Sequence, residues 1–428
     1  MTLTRPARAA SFVLLAVLAS MPTAASAQEL TFKEVVRELQ SPDPKARLNA
    51  VQLLAESGYP EAAGPIAPLL ADPDERIAKE AMYAELGFFL DTRLEAERRV
   101  ALVVQIKNPS PAFRAFEGGW GALPLGPVPA EVIRGLTGLL AAPKLALRVE
   151  ATYALGILAQ VEAQPGPGHA AVWAALAAGL GDPEPAARAA AARAAGRVFR
   201  RCAAPCAGAD IERLGNALVH SLNDPDQAVV MAVLEGIAEL RYERAVQALT
   251  DFYNYEKKGP VALATLDALG RIGHRSSVPL FRAALTRKEP AALRAAVEGL
   301  ARAGDKDSVT AAALSLAKQR KSEVVLGVAF AQQRVGQVSQ LDRLVQAAGG
   351  TDTYLQAQDY LIELGPPVAQ AVAGALPAAS TAARLRLIEV LGVIGGADQL
   401  PALQAAERDE TASVAAAAVR AVRRIKAR

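Results

Sequence analysis

The sequence is poor in the residues from which most active sites are built. Among 428 residues there are three histidines, two cysteines and two tryptophans, and aromatic residues reach only 5%. None of His169, His220 and His274 has a glutamate beside it and no HExxH stretch occurs, which excludes a two-histidine zinc helix. Neither GxSxG nor GxxxxGK is present, so a serine nucleophile elbow and a phosphate-binding loop are excluded too. The chain therefore reads as one with no catalytic residues, no metal site and no cofactor. An excess of one charge is missing as well. Lysine and arginine number 47 against 44 acidic residues, too even a balance for the electrostatic footprint of nucleic-acid binding. Glycine and proline, 32 and 27 residues, stay below the level of low-complexity disorder. No stretch after the first thirty residues reaches 18 uncharged apolar positions, so no transmembrane segment is expected in the mature chain.

What is present in quantity is alanine, within a 52% apolar content. Alanine is the strongest helix former and lets helices approach closely, so the composition predicts an all-α chain. The first residues set a compartment. Arg5 and Arg8 precede the apolar run Ala9 to Ala19, and Ala25-Ser26-Ala27 supplies small residues for a signal peptidase. This pattern predicts a signal peptide over residues 1–27, cleavage near Ala27, a mature chain starting at Gln28, and a periplasmic or secreted protein.

Self-similarity organises the remainder. Leu70-Ala71-Asp72-Pro73-Asp74, Leu180-Gly181-Asp182-Pro183-Glu184 and Leu222-Asn223-Asp224-Pro225-Asp226 are each followed by an alanine-rich segment, and Leu39 to Asp43 resembles them. An equivalent position falls at Ala55, Leu86, Ala122, Gly156, Gly196, Ala238, Gly270, Ala301, Gln332, Glu363, Gly392 and Arg423. Five residues earlier eight of the twelve units carry Gly, Ala or Thr; Val233 and Leu387 are larger, and the polar exceptions Glu117 and Gln358 leave the register of their two units open. Within a unit the apolar spacing is helical, as in Val132, Leu136 and Leu139 followed by Leu147, Ala151, Ala154, Leu155 and Leu158. Asp-Pro at the junction suits a helix start, because Asp accepts from free amides and Pro is tolerated in the first turn. Each unit reads as a helical hairpin, and no period-2 run suggests a sheet.

The stretches Ala268 to Leu280 and Glu389 to Gly395 resemble the HEAT-repeat family, in particular the short, roughly 30-residue repeats first noticed in phycobilin lyases. The resemblance covers nearly all of 29–428 and implies an α-solenoid of about twelve HEAT-like hairpins. At about 10 Å per packed helix layer, twelve units would form a curved rod on the order of 120 Å long, with a continuous core. The spacings divide it. Between residues 86 and 238 they are 36, 34, 40 and 42, so 28–210 reads as irregular and 211–428 as regular repeats of about 31. The added residues lie at Asp91 to Arg99, Leu123 to Glu131, Val161 to His169 and Arg200 to Asp210, and insertions at successive junctions project from one edge, often a binding edge.

Such repeats imply a noncatalytic scaffold for a protein partner, here in the periplasm or cell envelope. Two alternatives stand beside it: a bilin-lyase-like or other small-molecule enzyme with a pocket near Trp120 and Trp173, and an envelope protein holding anionic glycan or lipid. Candidate partner-binding residues are Trp120, Trp173, Phe199 and Arg201, since Trp and Arg dominate binding energy at interfaces. Phe113, Phe116 and Trp120 share one helical face, yet Gly118, Gly119 and Gly121 mark that unit as odd. Arg47, Arg114, Arg148, Arg188 and Arg384 recur at one place in the repeat. They read either as a ladder to the Asp of a neighbouring turn or as a concave basic stripe, with Arg148 and Arg188 as its first candidates. The arginines crowding the last nine residues suit a helix C-terminus. Finally, Cys202 and Cys206 are close enough to form a disulfide in an oxidising compartment, and three intervening residues make them neither a CxxC redox motif nor a haem attachment site.

Overall fold

The computed structural model describes residues 31–91, 110–160, 169–200, 209–337 and 339–428. Among them the ordered elements are helices, arranged as a chain of hairpins. The first hairpin pairs α1 (Phe32–Glu38) with α2 (Pro44–Ser57), and the second pairs α3 (Ala63–Ile66), continued by a 3₁₀ turn at Ala67–Ala71, with α4 (Glu75–Leu90). The short α5 (Pro111–Glu117) runs into a 3₁₀ turn at Gly119–Gly121. Next come α6 (Ala130–Leu139) with α7 (Leu145–Leu158), α8 (His169–Gly179) with α9 (Pro185–Phe199), and α10 (Ala209–His220) with α11 (Gln227–Leu240). The regular part pairs α12 (Val246–Glu256) with α13 (Gly259–Ile272), α14 (Val278–Ala284) with α15 (Pro290–Arg302), and α16 (Lys306–Ser315) with α17 (Ser322–Arg334). It ends with α18 (Leu341–Ala347) and α19 (Tyr354–Leu364), α20 (Ala369–Ala375) and α21 (Thr381–Ile394), and α22 (Leu400–Ala406) and α23 (Ala412–Lys426).

The second helices stack on one another as an inner layer, in the order α7, α9, α11, α13, α15, α17. Small residues allow this. A Cβ on Gly236 of α11 would lie 2.4 Å from the Ala192 carbonyl of α9, and one on Gly270 of α13 would lie 2.6 Å from the Ala295 carbonyl of α15. Ala50, Ala81, Ala151, Ala191, Thr265, Ala296 and Ala418, five positions before the aligned residue, are all buried at such crossings.

The junctions between first and second helices are built from Asp-Pro-Asp, with a division of labour that corrects the sequence expectation. The second acid is the cap: Asp74 accepts from the Arg76 amide and Asp226 from those of Ala228 and Val229. The first acid instead receives an arginine from the preceding unit. Arg47 reaches Asp72 at 2.7 and 3.1 Å, Arg148 reaches Asp182 at 2.8 and 3.0 Å, and Arg188 reaches Asp224 at 2.7 and 3.0 Å, each a two-pronged contact. Arg384 pairs with Asp409 at 2.9 Å. Arg114 is exposed and has no such partner among the described residues.

Three expectations give way. The third unit does not separate its neighbours in the stack, because among the described residues Ala67–Ala71 packs directly on α6 and α4 directly on α7. Among the described residues the apolar core is not continuous: one block runs from Val35 to Val335, a second from Leu326 to Val422, and a small third joins Leu293, Leu316 and Val324, all meeting at α17. Nor is the chain an extended rod. Arg424 of α23 bonds to the carbonyls of Gly121 and Leu123, 303 and 301 residues away in sequence, so the superhelix curls until its end meets its early part.

Candidate functional site

The curl borders a half-open interior cavity of about 1390 Å³, lined by the end of α9 at Phe199 and Arg200, by inner helices from α11 to α21 and by Trp120. Its walls are charged because Glu239 of α11, Arg271 of α13, and Glu298 and Arg302 of α15 line it, with Asp267 beside Arg271. Neighbouring helices thereby alternate acid and base. Arg200 meets Glu239 at 3.1 Å, and Arg271 meets Glu239 at 3.0 Å and Asp267 at 3.3 Å. Arg294 bonds to Asp267 at 2.7 Å and Glu298 at 3.1 Å. Arg302 continues to Glu298 and Glu363, both at 2.9 Å.

At the far end α19 crosses back over α17 to reach α15, where the Tyr360 hydroxyl donates to Glu298. Glu363 collects Arg302, Arg241 at 3.1 Å and Arg334 at 3.1 Å. Burial opposes its ionisation, but these three guanidinium groups outweigh it and hold the carboxyl at about 2. Asp267 and Glu239 are likewise held below the ordinary carboxylate range: burial again opposes, and Arg294 with Arg271, or Arg200 with Arg271, prevail. The Tyr360 phenol is pushed well above its ordinary value by burial and by Glu298. The result is a wall of fixed, mutually neutralised charges, able to present both donors and acceptors without rearrangement.

One turn of chain reaches across this interior. Trp120 donates from Nε1 to Asp359 at 2.7 Å, the Arg200 guanidinium lies 3.5 Å from the centre of its ring, and Arg200 itself bonds to Asp359 at 2.7 Å. Arg197 of α9 donates to the carbonyls of Gly119 and Ala122, while Arg424 takes those of Gly121 at 3.2 Å and Leu123 at 2.7 Å. Gly119 has φ +60°, and a Cβ on Gly121 would lie 3.2 Å from Glu389 Oε1.

Of the sequence candidates, the structure brings Trp120 and Phe199 to the cavity. Trp173 is instead buried in the core against Phe199 and His169, so it is not presented to a partner. Arg148 and Arg188 are occupied by the Asp ladder and do not form a basic face. Arg201, Cys202 and Cys206 lie outside the described residues, as do 92–99, 161–168 and 201–208 of the extended junctions. Leu123, at the start of another junction, is fully buried rather than on an edge. Of the terminal arginines, Arg424 is buried, and Arg428 bonds to the Gly392 carbonyl at 2.6 Å and the Val393 carbonyl at 2.8 Å. The residues that sequence reasoning missed are Arg200, Glu239, Arg271, Glu298, Arg302, Asp359 and Glu363. A signal for several existed: the positions three before and one after the aligned residue carry Glu235 and Glu239, Asp267 and Arg271, and Glu298 and Arg302.

No helix among the described residues is long and apolar enough to cross a membrane, and they contain no group of three or more His, Cys, Asp or Glu that could hold a metal ion. No curated protein matches the chain at a significant level. Among solved structures it is similar to importin beta crystallised with ammonium sulfate, at 14% identity and a TM-score of 0.42, covering 91% of this chain and 62% of that one. Importin beta crystallised with polyethylene glycol gives 13% identity and a TM-score of 0.41, covering 91% and 65%. The chain thus spans less than two thirds of the length of these structures. Residues 173–265 match the family of HEAT repeats. With that match inside α8–α13 and the same hairpin recurring on either side of it, the chain carries HEAT repeats at 173–265 and is folded as an all-α solenoid of like hairpins.

Proposed function

We propose that this HEAT-repeat solenoid is a noncatalytic scaffold that holds an extended segment of a protein partner in its interior cavity, and that it works in the periplasm or outside the cell. The observation that carries this reading is the cavity wall. A space of about 1390 Å³ bordered by paired Arg and acidic residues, with Leu355, Ile362, Val393 and Ile394 between them, offers an incoming backbone both polar partners and apolar contact. The charges are already neutralised and positioned, so little ordering would be lost on binding. The charged start, short apolar run and Ala25-Ser26-Ala27 support export, and a Cys202–Cys206 disulfide accords with that compartment.

A photo-crosslinking residue at Leu355, exposed on the cavity wall, tests the surface. It is expected to capture a partner from exported extract, with the crosslinks mapping to one extended segment. The same probe at Leu314, exposed on the outer helix α16, is expected to capture nothing comparable. Equal capture at both positions overturns the interior site. Finding Met1 intact on cytosolic protein overturns the compartment.

A further inference from the structure

The turn at Gly118–Leu123 is held the way a bound peptide is held. Four of its carbonyls accept from two buried arginines belonging to other repeats, Arg197 and Arg424, its Trp120 side chain sits between Arg200 and Asp359, and Leu123 at its end is fully buried. From this geometry we infer that Gly118–Leu123 is an internal pseudo-ligand, a latch that closes the superhelix and fills part of the interior, and that a partner segment with an aromatic residue between glycines displaces it. This rests on the cavity being the partner site.

Three features set the latch apart from the other contacts between distant repeats. Its bonds to Arg197 and Arg424 run from guanidinium to carbonyl, whereas the neighbouring contacts are ion pairs such as Arg302 with Glu363, and a dipole holds a cation less tightly than a carboxylate does. Arg197 shows the cost: burial, with Arg200 nearby, pushes its pKa down to about 9. Secondly, the turn lies between α5 and α6, and its one helical element is the 3₁₀ turn Gly119–Gly121, so it can leave without unfolding an α-helix; Gly118 at its start is exposed, while Trp120, Ala122 and Leu123 are buried and would be uncovered. Thirdly, the backbone before the aromatic residue favours glycine, with Gly119 at φ +60°, and a Cβ on Gly121 after it would lie 3.2 Å from Glu389 Oε1, so a replacement segment fits best with small residues flanking the aromatic one. With the latch closed only a fraction of molecules is competent to bind, and apparent affinity is reduced by that fraction.

The test uses the full chain and two variants, Trp120→Ala and Arg424→Gln, each checked for unchanged far-ultraviolet dichroism, so that if one fails to fold the other decides. Small-angle scattering should show a larger radius of gyration in the variants. A synthetic peptide with the sequence of residues 115–125 should return the Trp120→Ala chain toward the parental value. It should bind the parental chain at least several-fold more weakly, because there the site is filled in cis. Unchanged dimensions in a folded variant overturn the latch, and failure of the peptide to bind Trp120→Ala overturns the pseudo-ligand. Crosslinking from Leu355 keeps the two readings apart. If the latch alone is wrong, partner capture persists and does not change between parental and variant chains. If the cavity is not the partner site, capture is absent from both while the change in dimensions stands.

Discussion

The inner helices α7 to α13 and the inner helices α15 to α21 solve the same packing problem by different means. In the first group, glycine and alanine bring backbones into contact: Gly196 lies against Gly236, Gly236 against Ala192, and Gly270 against Ala295. In the second, the apolar core breaks at α17 and the helices are joined by Arg302, Glu298, Tyr360 and Glu363. Charged links are present in the first group too, at Arg200, Glu239 and Arg271, but in the second group they take over where backbone contact thins: α17 packs closely on α15 and only loosely on α19, and Tyr360 and Glu363 of α19 reach past α17 to Glu298 and Arg302 of α15. The difference teaches that the inner face is tied by backbone contact where small residues meet, and by long polar side chains where they do not.

If so, the two halves should fail to different insults. The largest effect is expected at Glu363. Glu363→Ala leaves Arg302 buried beside an absent carboxylate and removes the partner of the partly exposed Arg241 and Arg334, and should cost about 3–5 kcal/mol in denaturant unfolding, with loss of amide protection centred on α15 to α21. The pH response has a definite sign. Because the folded pKa lies near 2, below the ordinary 4.5, the Glu363 contribution is complete above pH 4.5 and is lost as pH falls toward 2.

Glu85 in α4 should respond in the opposite direction. It is fully buried, neither oxygen has a hydrogen-bond partner among the described residues, and burial together with Glu131 raises its pKa to about 9. The unfolded carboxyl ionises near 4.5 while the folded one keeps its proton, so stability falls as pH rises from 4.5 toward 9. At pH 7 the penalty reaches up to about 3 kcal/mol. Glu85→Gln should flatten the decline between pH 5 and 9 in pH-dependent melting, while leaving the acid loss due to Glu363 in place.

Volume should decide the alanine-rich half. Gly236→Val puts a branched side chain where a single Cβ already lies 2.4 Å from the Ala192 carbonyl, and should cost about 1–3 kcal/mol by denaturant titration. A conservative change of charge in that half should matter less. Asp224→Asn keeps an acceptor for Arg188 but removes the charge from a two-pronged, largely buried contact, and a loss of about 1 kcal/mol is expected from thermal melting. If Asp224→Asn proves as damaging as Glu363→Ala, the contrast between the two halves is wrong.

Much of this molecule was legible before any coordinates. The hairpin repeat, the small residues at helix crossings and the Arg–Asp ladder follow from patterns within one unit or between adjacent ones, and local rules govern contacts over that range. Asp72, Asp182 and Asp224 are 25, 34 and 36 residues from their arginines, about one repeat away, so register alone pairs them. The interior was not legible. Arg302 finds Glu363 at a separation of 61 residues, Trp120 finds Asp359 at 239, and Arg424 finds Gly121 at 303. Such partners are chosen by the summed rotation of many hairpins, and a small difference per unit multiplies along the stack. The amino-acid order by itself determined the HEAT-type hairpins and how each meets its neighbour. Only the tertiary structure decided that the stack closes on itself, because closure depends on the accumulated curvature and not on any one repeat.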